Sequence, residues 1–98
     1  MSRVTMYEYL LDLVEQHLGD LIDEVIDEYY ADKIDIEAEY EDLLRYITEK
    51  LAGKNRDFEN IDKFEKLLYK LIRRKSIGKL IISYLVAKYI ESASETDY

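Results

Sequence analysis

Apolar residues recur at steps of three and four along most of this chain, and this spacing constrains the fold more than any other feature. Leu11, Val14, Leu18, Leu21 and Val25 follow it in the first third of the sequence. Such a period places apolar side chains on one face of an α-helix, whereas a half-buried strand alternates every second residue. The chain has no proline and only three glycines, so the turn residues of an all-β domain are nearly absent. The 98 residues therefore predict one all-α domain.

The periodicity predicts three to four amphipathic helices in a compact bundle or an irregular arrangement. The first helix begins at a capping box formed by Thr5 and Glu8 and runs to about Tyr30, and a break at Gly19 is the alternative. The second helix begins after Asp35, a good N-cap residue. Gly53 is well placed to end this second helix in a left-handed conformation.

The second half of the chain predicts a loop at residues 54–57 and two further helices. The third helix starts at about Phe58, and Ser76 caps the fourth, although a single helix continuing across Gly78 is an alternative. Residues 1–90 form the predicted domain. Residues 91–98 carry no apolar stripe and are predicted to be a loose C-terminal tail.

The fourth predicted helix is apolar on nearly every side, which is typical of a central helix or of an oligomer interface. Its inward face is predicted to hold Ile77, Leu80, Ile81, Tyr84, Leu85, Ala87 and Ile90. We therefore expect a homodimer that buries the remaining apolar side chains, with Ile82, Val86 or Tyr89 at the contact. The alternative is a fourth helix wrapped by the other three.

The net charge of −8 is distributed unevenly along the chain. Residues 1–49 hold 3 basic and 15 acidic side chains, whereas residues 50–98 hold 11 basic and 7 acidic ones. Both halves carry apolar periodicity, so neither is a disordered tail. The absence of cysteine excludes disulfides, cysteine-ligated zinc and thiol catalysis in this chain. Neither a membrane span nor the apolar centre of a signal peptide is found, so we expect a cytoplasmic protein without membrane contact.

Two pairs of acidic residues have a spacing that could serve a metal ion. Glu24 and Asp27 lie three residues apart on the first helix, and Glu39 and Asp42 on the second. Carboxylate oxygens are the ligands that Mg²⁺ prefers. This pattern of about 20 residues resembles the paired acidic motifs of the all-α nucleoside triphosphate pyrophosphohydrolases of the MazG type. The resemblance implies a Mg²⁺-dependent hydrolase with these four residues as metal ligands. The alternative is a solvated acidic face, with no metal and no cofactor.

A basic stripe follows helical spacing on the third predicted helix, and Tyr69 lies beside it. Its members are Lys63, Lys66, Lys70, Arg73 and Arg74. Five cations on one face could follow the phosphates of a nucleic acid, and a tyrosine could stack on a base. The alternatives are a solvated face or contact with an acidic partner, because the overall negative charge repels a polyanion.

Histidine and tyrosine complete the set of candidate residues. His17 is the only histidine. With Asp20 three residues later, His17 could bind a metal ion or act as a base. The plainer interpretation is a histidine on the helix surface. Ten tyrosines are unusual in a chain of this length. Five of them lie off the inward stripes and either form a partner surface or cover a small core: Tyr7, Tyr30, Tyr46, Tyr69 and Tyr89.

These observations favour a small, acidic, non-catalytic interaction or adaptor protein. Nucleic-acid binding through the third helix is the second hypothesis, and the MazG-type hydrolase is the third. The abundance of Ile, Glu, Lys and Tyr, with few Met, Gln and Asn, suits a hot environment and predicts thermostability. This composition resembles that of small orphan proteins of hyperthermophilic archaea and their viruses. The resemblance implies a product of a virus or mobile element that acts in the host cytoplasm.

Overall fold

The computed structural model describes residues 6–53 and 61–95, and these form four helices without a strand. The helices are α1 (Met6–Val25), which continues directly into a π-helical segment (Ile26–Tyr30), then α2 (Ile36–Ala52), α3 (Ile61–Arg73) and α4 (Lys75–Glu95). The prediction of an all-α domain is confirmed. The capping residue Thr5, the loop at 54–57 and the start of the third helix at Phe58 lie outside the described residues.

Helix α1 and its π-helical extension form one unbroken helix to Tyr30, as the sequence predicts, and the alternative of a break at Gly19 is wrong. Gly19 is buried, and a Cβ placed there would lie 3.5 Å from the hydroxyl oxygen of Tyr40. The helix ends where the carbonyl of Tyr30 accepts hydrogen bonds from the N–H groups of both Lys33 and Ile34. No following turn of the helix supplies a donor for the Tyr30 carbonyl, and these two bonds satisfy it instead.

Helix α2 begins and ends where the sequence predicts, but its N-terminus is stabilised differently. Asp35 is the N-cap residue, yet its side chain makes no capping bond. Instead, the Glu39 carboxylate accepts a hydrogen bond from the Asp35 N–H at 3.1 Å. At the other end, Gly53 has a φ of 68°, and its N–H donates to the Glu49 carbonyl at 3.0 Å. That positive φ favours glycine.

Helices α3 and α4 meet at a bend centred on Arg74. The bend separates two helices, so the alternative of one continuous helix is wrong. Gly78 packs against the carbonyl of Leu71 so closely that a Cβ would overlap the oxygen atom. Helix α4 already begins at Lys75, so the prediction that Ser76 caps it is wrong. The helix continues to Glu95, so the predicted tail begins inside α4, and residues 96–98 lie outside the described part.

The four helices enclose one apolar core. Helix α2 runs antiparallel to α1, because Ile36 lies near Ile26 while Leu44 lies near Leu11. Helix α3 packs against α1, and α4 packs against all three other helices. The most completely buried side chains come from all four helices and include Leu10, Val14, Leu18, Ile22, Val25, Leu43, Ile47, Leu68, Ile82 and Val86.

The orientation of α4 is the main correction to the sequence analysis. Ile82 and Val86 are fully buried in the core, so the prediction that they form a dimer contact is wrong. Tyr89 is half-buried against the same core. Leu85 is buried as predicted, whereas four other residues of the predicted inward face are exposed: Ile77, Leu80, Ile81 and Tyr84.

Candidate protein-binding surface

Four large apolar side chains of α4 point away from the core in a line that we call the outer face of α4. They are Ile77, Leu80, Ile81 and Tyr84, with exposed fractions of 43%, 71%, 36% and 61%. The spacing i, i+3, i+4 and i+7 places them on one side of the helix. They expose mostly apolar surface side by side, and the largest apolar patch on a monomeric protein is often functional.

Ion pairs with α1 and its extension hold α4 in this orientation. Lys79 contacts Glu28 at 2.9 Å and Glu24 at 3.4 Å, and Lys75 contacts Glu24 at 3.1 Å. The hydrogen bond to Glu28 raises the pKa of Lys79, and the hydrogen bond from Lys75 is the main reason that the pKa of Glu24 is lowered. Because lysines four residues apart share one helix face, these contacts turn that face toward α1.

Tyrosine side chains anchor the rest of α4. The Tyr30 hydroxyl donates to the carbonyl of Ser83 at 3.1 Å. The Tyr89 hydroxyl donates to the Glu39 carboxylate at 3.1 Å, and its ring meets that of Tyr46 edge-on at 5.7 Å. Burial, followed by the bond to Glu39, raises the pKa of Tyr89 to about 12. These contacts lie on the inner side of α4, so its outer face is presented on a fixed scaffold.

The outer face has the chemistry of a surface that binds another protein. It is built from aliphatic side chains and one tyrosine, a combination that favours burial against another apolar surface. At its C-terminal end, Lys88 lies over the Tyr84 ring at 5.6 Å and near Glu91 at 3.6 Å. Polar groups at the edge of an apolar centre resemble the polar rim of a protein–protein interface.

The two acidic pairs do not converge. Glu24 is engaged by Lys75 and Lys79, and Glu39 by the N-terminus of α2 and the Tyr89 hydroxyl. Glu24 and Asp27 line a shallow cleft with the Asp23 carboxyl, whose pKa is raised by burial and then by Asp20, but neither Glu39 nor Asp42 lines this cleft.

Across residues 6–53 and 61–95, no three His, Asp or Glu side chains lie close enough together to hold a metal ion. The geometry on which the resemblance to MazG-type hydrolases depends is therefore not formed by Glu24, Asp27, Glu39 and Asp42. What these helices present instead is an exposed acidic surface. Most of its carboxylates point into solvent.

The basic stripe of α3 is formed as the sequence predicts. All five members are exposed: Lys63, Lys66, Lys70, Arg73 and Arg74. Four of them lie on α3, within about 80° of the helix circumference and over about 15 Å of its axis, and Arg74 follows at the bend. Within the part of the chain that the structure describes, none of them forms an ion pair. The opposite side of α3 buries Phe64, Leu68 and Leu71.

Of the five singled-out tyrosines, Tyr30 and Tyr89 pack against the core. The His17 ring lies 5.0 Å from the Tyr69 ring, and it lines a small cavity of about 240 Å³ between α1 and the start of α4. Tyr7, Tyr30, Tyr46 and Tyr89 are half-buried. Tyr69 is 53% exposed, and it lies one residue before Lys70 of the basic stripe.

Helix α4 is apolar all round, so its periodicity does not show which side is the outer face. Two signals in the sequence distinguish its sides. Gly78 has no side chain, and the Leu71 carbonyl of α3 occupies the space that a Cβ would fill. Lys75 and Lys79 share a side and lie opposite carboxylates of the acidic first helix. Together they identify the side that faces α1.

Comparison with known protein families, with curated proteins and with solved structures finds no match to this chain. None of the described helices combines the length and the hydrophobicity required to cross a lipid bilayer.

Proposed function

We propose that this chain is a small interaction protein without catalytic chemistry, and that it associates with a second copy of itself through the outer face of α4. The exposure of Ile77, Leu80, Ile81 and Tyr84 in one line is the observation that carries this proposal. The homodimer expected from the sequence is retained, but its contact moves to the side of α4 opposite Ile82 and Val86. Such a protein would act as an adaptor in the cytoplasm, that of the host if a virus encodes it.

The energetics favour burial of this face. Removing apolar surface from water contributes roughly 25 cal/mol per Å². A helix held by ion pairs and tyrosine hydrogen bonds loses little further conformational freedom on binding. The entropy cost therefore offsets less of the free energy gained by burying apolar surface. A second copy supplies a surface of the same shape and chemistry, as in the isologous interfaces of two-fold dimers.

The proposal is tested by measuring the mass of the protein in solution. Light scattering or sedimentation velocity at micromolar concentration should give twice the chain mass of 11.7 kDa. Leu80→Glu should give a folded monomer, because a buried, unpaired carboxylate opposes association. Tyr9→Glu is the matched control, since Tyr9 is also an exposed large side chain but lies on α1, and this variant should remain dimeric. A monomeric wild-type protein would refute the proposal.

Nucleic-acid binding through α3 is the second candidate function, and the unpaired basic stripe favours it. Five aligned cations without acidic partners among the described residues can neutralise several phosphates. The stripe lies on α3, so this activity is compatible with dimerisation through α4. The long-range repulsion from the acidic half of the chain acts against it, over a screening distance of roughly 10 Å.

Binding to duplex and single-stranded DNA and RNA at increasing salt tests this second function. The triple replacement of Lys66, Lys70 and Arg74 by Ala should weaken binding to all sequences about equally, because phosphate contacts carry no base information. Each lost contact should reduce the salt slope by about 1. The fold should persist, since these side chains are exposed. Lack of binding by the wild-type protein at low salt would refute nucleic-acid binding and leave the dimer proposal unaffected.

A further inference from the structure

We infer that α3 binds single-stranded nucleic acid, with the phosphates along the basic stripe and one unpaired base stacked on Tyr69. This inference rests on the second candidate function and names the class of nucleic acid that the site takes. Two observations carry it: Tyr69 lies at one edge of the stripe, and a small cavity lies beside its ring. The bound strand makes ionic contacts through its phosphates and an apolar contact through one base.

The phosphates follow the C-terminal part of the basic stripe. Lys66, Lys70 and Arg73 lie on one side of α3, and Arg74 follows at the bend, all of them exposed. The three helical cations span about 10 Å of the helix axis. Asp62 lies close to the first residue of the stripe, and its carboxylate opposes phosphate binding at the N-terminal end. The four remaining cations suit a short stretch of one strand.

Tyr69 supplies an aromatic ring within reach of these cations. It is 53% exposed, and it lies three residues after Lys66 and four before Arg73 on the same helix. The His17 ring of α1 meets the Tyr69 ring at 5.0 Å with an interplanar angle of 60°, and this contact supports the ring from one side. A ring that is already held loses little conformational freedom on binding. A base can therefore stack on its exposed side while the neighbouring phosphates contact the stripe.

The cavity beside Tyr69 suits the edge of a base better than a phosphate. Its volume is about 240 Å³, and Ile72, three residues after Tyr69, forms part of its apolar wall. Pockets for drug-sized ligands measure about 300–1,000 Å³, so this cavity fits a smaller group such as one base. The exposed Asp20 carboxylate lines the cavity, repels phosphate and can accept a hydrogen bond from a base N–H group. The cation of Lys75 is already paired with Glu24 at 3.1 Å.

A single strand fits this arrangement better than a duplex. The bases of a duplex stack on one another, so none reaches Tyr69 unless it is flipped out of the stack, which costs free energy. The stripe covers about 80° of a helix that is roughly 10–12 Å in diameter, whereas the major groove of a duplex alone is about 12 Å wide. The second strand of a duplex would therefore approach the exposed carboxylates of α1, against which α3 packs. A single strand keeps its charge over the cations.

Oligonucleotides with and without bases test this inference on the wild-type protein. The probes are fluorescent single strands of about ten nucleotides: oligo(dT), oligo(U) and a DNA strand of abasic residues. All three carry the same number of phosphates, so the ratio of their Kd values isolates the contribution of the bases. Fluorescence anisotropy at low salt should show about tenfold tighter binding of a base-containing strand than of the abasic strand, because one base stacks. The ratio should persist at higher salt, since the phosphate contacts are common to all probes.

The comparison of oligo(dT) with oligo(U) separates the two sources of a single strand. Tighter binding of oligo(U) identifies RNA as the preferred strand, and tighter binding of oligo(dT) identifies DNA. Either result supports the inference when the abasic strand binds more weakly.

Substitutions of Tyr69 assign the base contact to this ring. Tyr69→Ala should reduce the ratio of the Kd values to about one and leave binding of the abasic strand unchanged, because the cations remain. Tyr69→Phe keeps an aromatic ring and should retain the ratio. Tyr29→Ala is the matched control, since Tyr29 is 60% exposed but lies on the π-helical extension of α1, and it should behave like the wild-type protein. Circular dichroism checks that each variant is folded.

The outcomes separate this inference from the second candidate function. Equal binding of the abasic and base-containing strands, or tighter binding of a mixed-sequence duplex of the same length, would overturn the inference and leave phosphate binding by α3 in place. An unchanged ratio in folded Tyr69→Ala would also overturn it. Lack of binding to every probe at low salt would refute both the inference and the second candidate function.

Discussion

Gly78 determines how closely α3 and α4 approach at their bend. The absence of a Cβ admits the Leu71 carbonyl, and a side chain here would also touch Leu21 at 3.2 Å. We expect Gly78→Ala to lower the free energy of unfolding by about 2 kcal/mol, because overpacking against backbone outweighs the gain in helix propensity.

Gly19→Ala is the matched control for this prediction. Gly19 is also helical and buried, but its Cβ would make an ordinary contact with Tyr40. This variant should be up to about 1 kcal/mol more stable than the wild-type protein, since alanine favours the helix. Urea unfolding followed by circular dichroism measures both variants. Equal effects of the two substitutions would contradict the close contact at Gly78.

Tyr89 makes stability depend on alkaline pH. Burial and its bond to Glu39 raise the pKa of Tyr89 to about 12, above the ordinary tyrosine value of 10.0. The folded state therefore keeps the proton that the unfolded chain releases near pH 10. The resulting stabilisation is complete below pH 10 and is lost as the pH rises from 10 to 12. Tyr89→Phe should make the loss of stability over this range less steep, measured by unfolding at several pH values. Tyr29→Phe, at an exposed tyrosine outside the outer face of α4, should not change it.

Helix α4 is a single element with two apolar sides of different function. Ile82 is completely buried, and Ile82→Ala should cost about 2–5 kcal/mol of folding stability. Leu80 is 71% exposed, so Leu80→Ala should change the stability of the isolated chain by no more than about 0.5 kcal/mol. Chemical denaturation at low protein concentration measures the stability change of both variants. A large loss for Leu80→Ala there would show that the helix is rotated relative to the structure.

The whole molecule couples folding to association if the dimer forms. A second copy binds the folded chain and not the unfolded chain. The melting temperature therefore depends on the protein concentration. We expect the melting temperature to rise when the protein concentration is raised from about 1 to 100 μM, a range that brackets a micromolar Kd. The Leu80→Glu variant should melt at one temperature over the same range. High thermostability, suggested by the composition, stays a prediction that the same melting curves test.

At the scale of the whole molecule, acidic and basic side chains are concentrated on different helices. The acidic first half forms α1 and α2, while the basic stripe lies on α3, and the ion pairs between Lys79 and Glu28 join the two halves. The sequence predicts this segregation because charge counts and helical spacing are local quantities. It also predicts that the first helix runs to Tyr30, that α2 starts after Asp35 and that α2 ends at Gly53, because these boundaries depend on local backbone chemistry.

The orientation of α4 was decided only by tertiary structure. A helix that is apolar on opposite sides has two nearly equivalent ways to face a core, so periodicity alone does not choose between Ile82 and Leu80. Contacts distant in sequence make the choice: the Leu71 carbonyl against Gly78, the Glu28 carboxylate on Lys79, and the Tyr30 hydroxyl at Ser83. The sequence by itself determines an all-α chain with acidic and basic faces. The packing of α4 against its neighbours determines which apolar face remains exposed.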